Sequence, residues 1–306
     1  MSEESGMQNP LVHKNHFGFY ELTDKPSQDD LKKYYAEKYY QQSLSTYQQA
    51  YSEEEIAYIR NKLEQKCLAA GKLLAAPAET QRSFLDVGAG EGWALAYFRA
   101  QGWHCTGLDY SEYGCRTHNP DCVADLMVGD IYENIDKLVQ KSRKFDLVLL
   151  DNVLEHVPDP LSLLTRIRGL TALGGVLIIE VPNDFSVVQQ HLLDNGYISR
   201  SFWIAIPDHI SYFNRDGLTA LCDEAGWRTQ CVLGDFPIDF SLFNESTNYV
   251  ENKSAGKSCH RVRVAVENLM HAVSPEKTNV LYEALADLGM GRQLIGFFQE
   301  KPGVGK

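Results

Sequence analysis

Through the middle of the chain, short unbroken apolar runs alternate with stretches whose apolar residues recur at helical spacing. The runs at 83–87, 103–109, 124–130, 145–150, 174–181 and 227–233 predict strands, and a late run at 291–299 predicts a last one. Helical spacing fills the gaps between them at 93–101, 131–142, 159–171 and 214–225. Strands that do not alternate polar with apolar are buried on both faces, so this order predicts an α/β fold with a parallel, doubly wound sheet. Ahead of it, residues 1–28 read as irregular and 29–50 as a helix dense in tyrosine (Tyr34, Tyr35, Tyr39, Tyr40). A further helix starts at Ser52, where Glu55 three residues on completes a capping box, and runs to about Ala70. Residues 183–213 and 235–290 read as insertions, the second containing helices at 260–270 and 275–288.

Polar residues within this pattern mark one edge of the sheet. The first run leads into Asp86-Val87-Gly88-Ala89-Gly90-Glu91-Gly92, a glycine-rich turn before a helix. Glycine lets the backbone turn sharply and lets a ligand approach it. Asp86 and Glu91 would repel a phosphate there, so the turn predicts a ligand carrying amines and hydroxyls. Asp109, Asp130 and Asp151 close the next runs at spacings of 23, 21 and 21 residues. In a doubly wound sheet, ligands bind beyond the carboxyl ends of the strands, so all four acids are expected along the binding edge.

Composition narrows the partners. The chain has 306 residues and a net charge of -12 at pH 7, which argues against nucleic acid as a partner. No apolar run approaches the roughly 18 residues of a membrane span. The first six residues lack the features of a secretory signal. Seven scattered cysteines without a CxxC pair predict reduced thiols, a cytoplasmic setting and no metal site.

The block Asp86–Gly92, Asp109, Gly129-Asp130-Ile131 and Asp151-Asn152-Val153-Leu154-Glu155-His156-Val157, in this order, resembles the class I S-adenosylmethionine-dependent methyltransferases. Within them it is similar to the small-molecule subgroup of sugar, polysaccharide and quinone pathways. Pro207-Asp208-His209-Ile210-Ser211-Tyr212 resembles a segment of sugar-type members. The resemblance covers about 80–234 and the last strand. It implies a Rossmann-like sheet of seven strands, the last antiparallel. It also implies an N-terminal helical cap or lid at 1–78 and a methyltransferase domain at 79–306.

The implied cofactor is S-adenosylmethionine. Gly88, Gly90 and Gly92 would let its methionine part lie against the backbone. Asp86 would orient the loop or its ammonium group, Asp151 or the backbone near it would serve that ammonium, and Asp109 would accept from its ribose hydroxyls. Asp130 and the Ile131 N–H would read the adenine edge, with Tyr110 and Ile131 packing on its faces. A small-molecule acceptor follows, a sugar-type hydroxyl before all, with an inert cofactor-binding module or an N- or C-methyltransferase as alternatives. A nicotinamide-dependent oxidoreductase is disfavoured, because the glycine spacing is not GxGxxG. Methylating a hydroxyl requires a base, and His156 and His209 are the candidates. Tyr39, Glu155 and Tyr212 are expected at the acceptor, and Gln189, Gln190 and His191 are candidates for lining its pocket.

Overall fold

A computed structural model describes residues 10–26, 31, 50–74 and 81–302. The tyrosine-rich stretch, Tyr39 included, lies outside these described residues. The strands are β1 (Val12–Lys14), β2 (Tyr20–Leu22), β3 (Ser83–Val87), β4 (His104–Asp109), β5 (Leu126–Val128), β6 (Phe145–Asp151), β7 (Thr171–Pro182), β8 (Ser211–Tyr212), β9 (Trp227–Gly234) and β10 (Gln293–Glu300). Seven of them form one sheet in the order β5-β4-β3-β6-β7-β10-β9. β3 pairs in parallel with β4 and β6, β4 with β5, and β6 with β7. The last strand, β10, lies between β7 and β9 and is antiparallel to both, as expected.

Two helical layers cover this sheet. The first comprises α1 (Glu53–Gly71) and α2 (Trp93–Ala100). The short α3 (Tyr113–His118) follows β4, and α4 (Ile131–Gln140), α5 (Pro160–Arg168), α6 (Val187–Asp194) and α7 (Arg215–Glu224) come next in the chain. The long insertion supplies α8 (Gly256–Val273) and α9 (Pro275–Asp287). Leu63 of α1, Leu95 and Phe98 of α2 and Tyr282 of α9 pack on Phe84, Leu147, Leu149 and Ile178, on one face of the sheet. Ile135, Leu164, Ile167 and Leu221 of α4, α5 and α7 cover Leu85, Val148, Leu150 and Ile179 on the other. Both faces are dry, as the unbroken apolar runs require.

The irregular reading of residues 1–28 is corrected in part. β1 and β2 form a hairpin that adds β8 into a second, three-stranded sheet. Strands of three, three and two residues are too short to show a period of two. The turn between them relies on Gly18 at φ +95° and on the Asn15 side chain, which accepts from the Phe17 N–H. The insertion after β7 carries α6, whose start is a capping box between Ser186 and Gln189. The strand expected at 124–130 is only Leu126–Val128, because residues 120–125 form a tight helical turn.

Candidate active site

The glycine turn is built by steric necessity. Gly88 has φ +82°, and a Cβ there would lie 2.5 Å from Cγ2 of Val153. Gly92 has φ +77°, and its Cβ would lie 2.8 Å from Sγ of Cys115. Only glycine leaves the backbone exposed at these points. The turn is then tied to the second strand end. Asp109, 7% exposed, accepts from the Gly90 N–H at 2.8 Å and the Ser111 N–H at 2.9 Å. Two backbone donors fix its carboxylate and still leave lone pairs for a diol. Tyr110 follows, half-buried, its hydroxyl pushed up to about 12 by burial.

Asp130 has a structural task. Its Oδ1 accepts from the Tyr132 and Glu133 N–H groups at 2.9 and 3.1 Å, which makes it the N-cap of α4, with Ile131 as the first residue of that helix. Asp109, Tyr110, Asp130 and Ile131 stand together at the β4–β5 side of the edge.

A cavity of about 480 Å³ occupies the other side, between the glycine turn, α1 and the ends of β6, β7 and β10. Asp86, Gly88, Glu91, Asp151 and Asn152 line it, so the methionine-end candidates converge there. Asp86 is pushed up to about 8, first by burial and then by the nearby Asp151 charge. Asn152 takes φ +52°, and its N–H donates to the Glu180 carbonyl at 2.9 Å.

The cavity also holds residues that sequence reasoning missed. Lys66 of α1 pairs with Asp151 and, at 2.7 Å, with Glu180. Lys62, one turn earlier, reaches Glu180 at 3.2 Å and Asp235 at 2.9 Å. Arg263 of α8 pairs with Asp235 and, at 2.9 Å, with Glu267. Burial opposes ionisation of Glu180, but the two lysines overcome it and hold its carboxyl down at about 2. At the mouth, Glu91 accepts from the Tyr51 hydroxyl at 2.8 Å and the Trp93 indole N–H at 2.7 Å.

The histidine candidates form a separate group, outside the lining of this cavity. Glu155 and His156 lie on the turn 154–156 after β6, next to the Val153 that packs on Gly88. His209 comes from the insertion, its ring 5.0 Å from that of His156. The Ile210 N–H donates to the Glu155 carbonyl at 2.8 Å and joins the two segments. Burial pushes the Glu155 carboxyl well above the usual carboxylate range. Tyr212 is buried in the small sheet, its hydroxyl donating to the His209 carbonyl at 3.0 Å. Gln189 is turned away from the cavity, donating to Asp239 at 3.2 Å.

The residues fit S-adenosylmethionine. The glycine backbone offers a cradle that a Cβ would fill, with Asp109 tied to it on the β4 side and Asp86 and Asp151 lining the cavity on the other. Among the described residues, no helix is long and apolar enough to cross a membrane.

Comparison with known proteins places the chain in a family. Residues 58–232 match the model of a family described as "Methyltransferase domain". The chain is similar to the ubiquinone biosynthesis O-methyltransferase of Aromatoleum aromaticum, 28% identical over 159 residues, covering 49% of this chain and 65% of that protein. The enzyme of the same description from Histophilus somni is 31% identical over 110 residues, covering 34% and 46%. The chain thus spans less than two thirds of these relatives. A solved S-adenosylmethionine-dependent methyltransferase from Archaeoglobus fulgidus superposes with a TM-score of 0.47 at 19% identity, covering 78% of this chain and 94% of that one. With its glycine turn, its strand-end acids and a family match over more than half its length, the chain belongs to the methyltransferase-domain family, whose methyl donor is S-adenosylmethionine.

Proposed function

We propose that the protein methylates a hydroxyl of a small molecule, a sugar or related metabolite, in the cytoplasm. The observation that carries this reading is the group of Glu155 and His156, on the turn that follows the Val153 beside Gly88, with His209 of the insertion. When bound, S-adenosylmethionine supplies a methyl group on sulfonium sulfur, and its transfer to a hydroxyl releases one proton. Asp86 and Asp151 hold the cofactor's ammonium, and Asp109 its ribose. The group at His156 receives the proton, with Nε2 as the acceptor atom. Positioning does most of the work, since oriented encounter lowers a barrier by up to about 7–11 kcal/mol. Residues 1–78 act as the cap and 79–306 as the catalytic domain, with Tyr39 contributing to the acceptor site from the cap. Seven free thiols fit a reducing compartment.

The test is release of S-adenosylhomocysteine with a panel of hydroxylated acceptors. His156→Ala is expected to depress turnover by about 100-fold or more while calorimetric affinity for S-adenosylmethionine stays near that of the unmodified protein. Tight cofactor binding with no turnover of any acceptor would instead favour an inert binding module. Methylation of amines alone would favour the N-methyltransferase alternative.

A further inference from the structure

Helix α8 is built inside out. Its inner face, toward α1 and the cavity, is polar. Arg263 pairs with Asp235 and, at 2.9 Å, with Glu267, and His271 Nε2 lies 2.9 Å from a carboxylate oxygen of Glu64 on α1. Asn268 donates to the Glu54 carbonyl at 3.0 Å and accepts from the Asn61 side chain at 2.9 Å. The outer face is apolar. Val262, Ala265, Leu269, Ala272 and Val273 recur at helical spacing and are all exposed, Leu269 at 64% and Val273 at 74%. A helix on the surface of a monomer turns its apolar stripe to the core and its charges to water, so α8 reverses that pattern. α9 continues the surface. Its residues Thr278, Asn279, Tyr282 and Ala286 are buried, whereas Val280, Leu281, Ala284 and, just past its end, Leu288 are exposed. The two helices are neighbours in one hairpin: the Tyr282 hydroxyl donates to Glu267 at 2.6 Å, and the Thr278 hydroxyl to the Met270 carbonyl at 3.1 Å.

The charges that flank these stripes point to what covers them. Histidines aside, α8 exposes Lys257 and Arg261, and its single acid, Glu267, is buried. α9 exposes Glu276, Lys277, Glu283 and Asp287, which are acidic on balance. A basic apolar helix beside an acidic apolar helix complements itself when turned through a two-fold axis, because in such an interface residue i meets j and j meets i. We propose that the outer faces of α8 and α9 form the interface between two copies of this chain, α8 of one copy lying along α9 of its partner. The apolar stripes make its centre, and Arg261 and Glu283 its charged rim. Arg263, on the inner face of α8, lines the cavity, so the interface lies behind the cavity wall. This pairing stands independently of the methyl-transfer reading.

Sedimentation velocity and light scattering on the full-length protein, over a concentration series, give the test. A dimer is expected, with monomer appearing on dilution. Leu269→Glu and Val280→Glu, both at positions exposed in a single copy, are each expected to weaken association by at least about 10-fold and to leave the circular dichroism spectrum unchanged. Leu173→Glu, at an exposed leucine on β7, is expected to leave association as it was. Arg261→Glu and Glu283→Lys should each weaken association, and the two together should restore it, since the swap rebuilds the pair in reverse. A monomer at every concentration, or a dimer indifferent to both Leu269→Glu and Val280→Glu, overturns the proposal. A charge swap that fails to restore association overturns the placing of α8 along α9.

Discussion

Asp86 ties the stability of the ligand-free protein to pH. Its folded-state pKa lies at about 8 against an ordinary value of 3.8, because burial and the neighbouring Asp151 charge disfavour the carboxylate. The native state therefore binds more protons than the unfolded chain between those values. Its contribution is present at low pH and is lost as pH rises towards about 8, with a slope of at most roughly 1.4 kcal/mol per pH unit. Glu180 works in the opposite sense: its contribution is present above 4.5 and lost as pH falls towards about 2. Asp86→Asn is thus expected to flatten the stability profile between 3.8 and about 8, read by urea denaturation at several pH values. In the unmodified protein, affinity for S-adenosylmethionine should rise as pH passes through about 8, since only the ionised carboxylate attracts an ammonium. Calorimetry on the Asp86→Asn variant should show that rise gone. Asp109 makes a second, independent prediction. Asp109→Ala strips the Gly90 and Ser111 N–H groups of their acceptor, so a loss of about 1–3 kcal/mol in stability is expected. A loss of at least about 10-fold in cofactor affinity should accompany it, and unchanged affinity would remove Asp109 from the site.

At the scale of elements, what the sequence disclosed and what it hid divide along one physical line. Features written by local chemistry were legible. Ser52 and Glu55 form the expected capping box at the start of α1, with the Glu55 N–H to Ser52 Oγ bond at 3.3 Å and the Ser52 N–H to Glu55 carboxylate bond at 2.9 Å. Ser52→Ala should therefore destabilise the protein by about 1 kcal/mol, measurable as a shift in the urea midpoint at constant slope. The strand-end acids Asp86, Asp109 and Asp151 were legible for the same reason, since an apolar run ending in an acid is local. Asp130 was half legible: its position was right, but the N–H groups of the helix behind it claim one of its oxygens. Features made by distant partners were not legible. Gln65 and Lys66 are 5% and 3% exposed on α1, yet in sequence they look like a solvated helix face. The β1–β2–β8 sheet joins residues 12–22 to 211–212, and nothing local marks β8 as a strand.

The whole molecule is crossed by one chain of charges. Lys66 and Lys62 on α1 reach Asp151 at the end of β6 and Glu180 near the end of β7. Lys62 continues to Asp235 after β9, and Asp235 to Arg263 on α8, which ends on Glu267. Asp235 also accepts from the Gln293 N–H at 2.7 Å, which brings in the first residue of β10. Helix α1, the ends of four strands and the late insertion are thus locked around the cavity wall. Buried ion pairs of this kind add little net stability over an apolar replacement, but removing one partner leaves the other charge uncompensated. Lys66→Met takes the lysine from partly exposed Asp151 and leaves Glu180 with Lys62 alone, so a loss of up to about 3 kcal/mol is expected. Adding Glu180→Gln to Lys66→Met removes one of the two acids that share Lys66 and should recover part of that loss, which a double-mutant cycle in urea would read directly. Full additivity of the two substitutions would mean that the chain of charges does not act as a unit. Strong coupling would place α1, through Lys66, beside the glycine turn and its acids among the parts that shape the cavity wall.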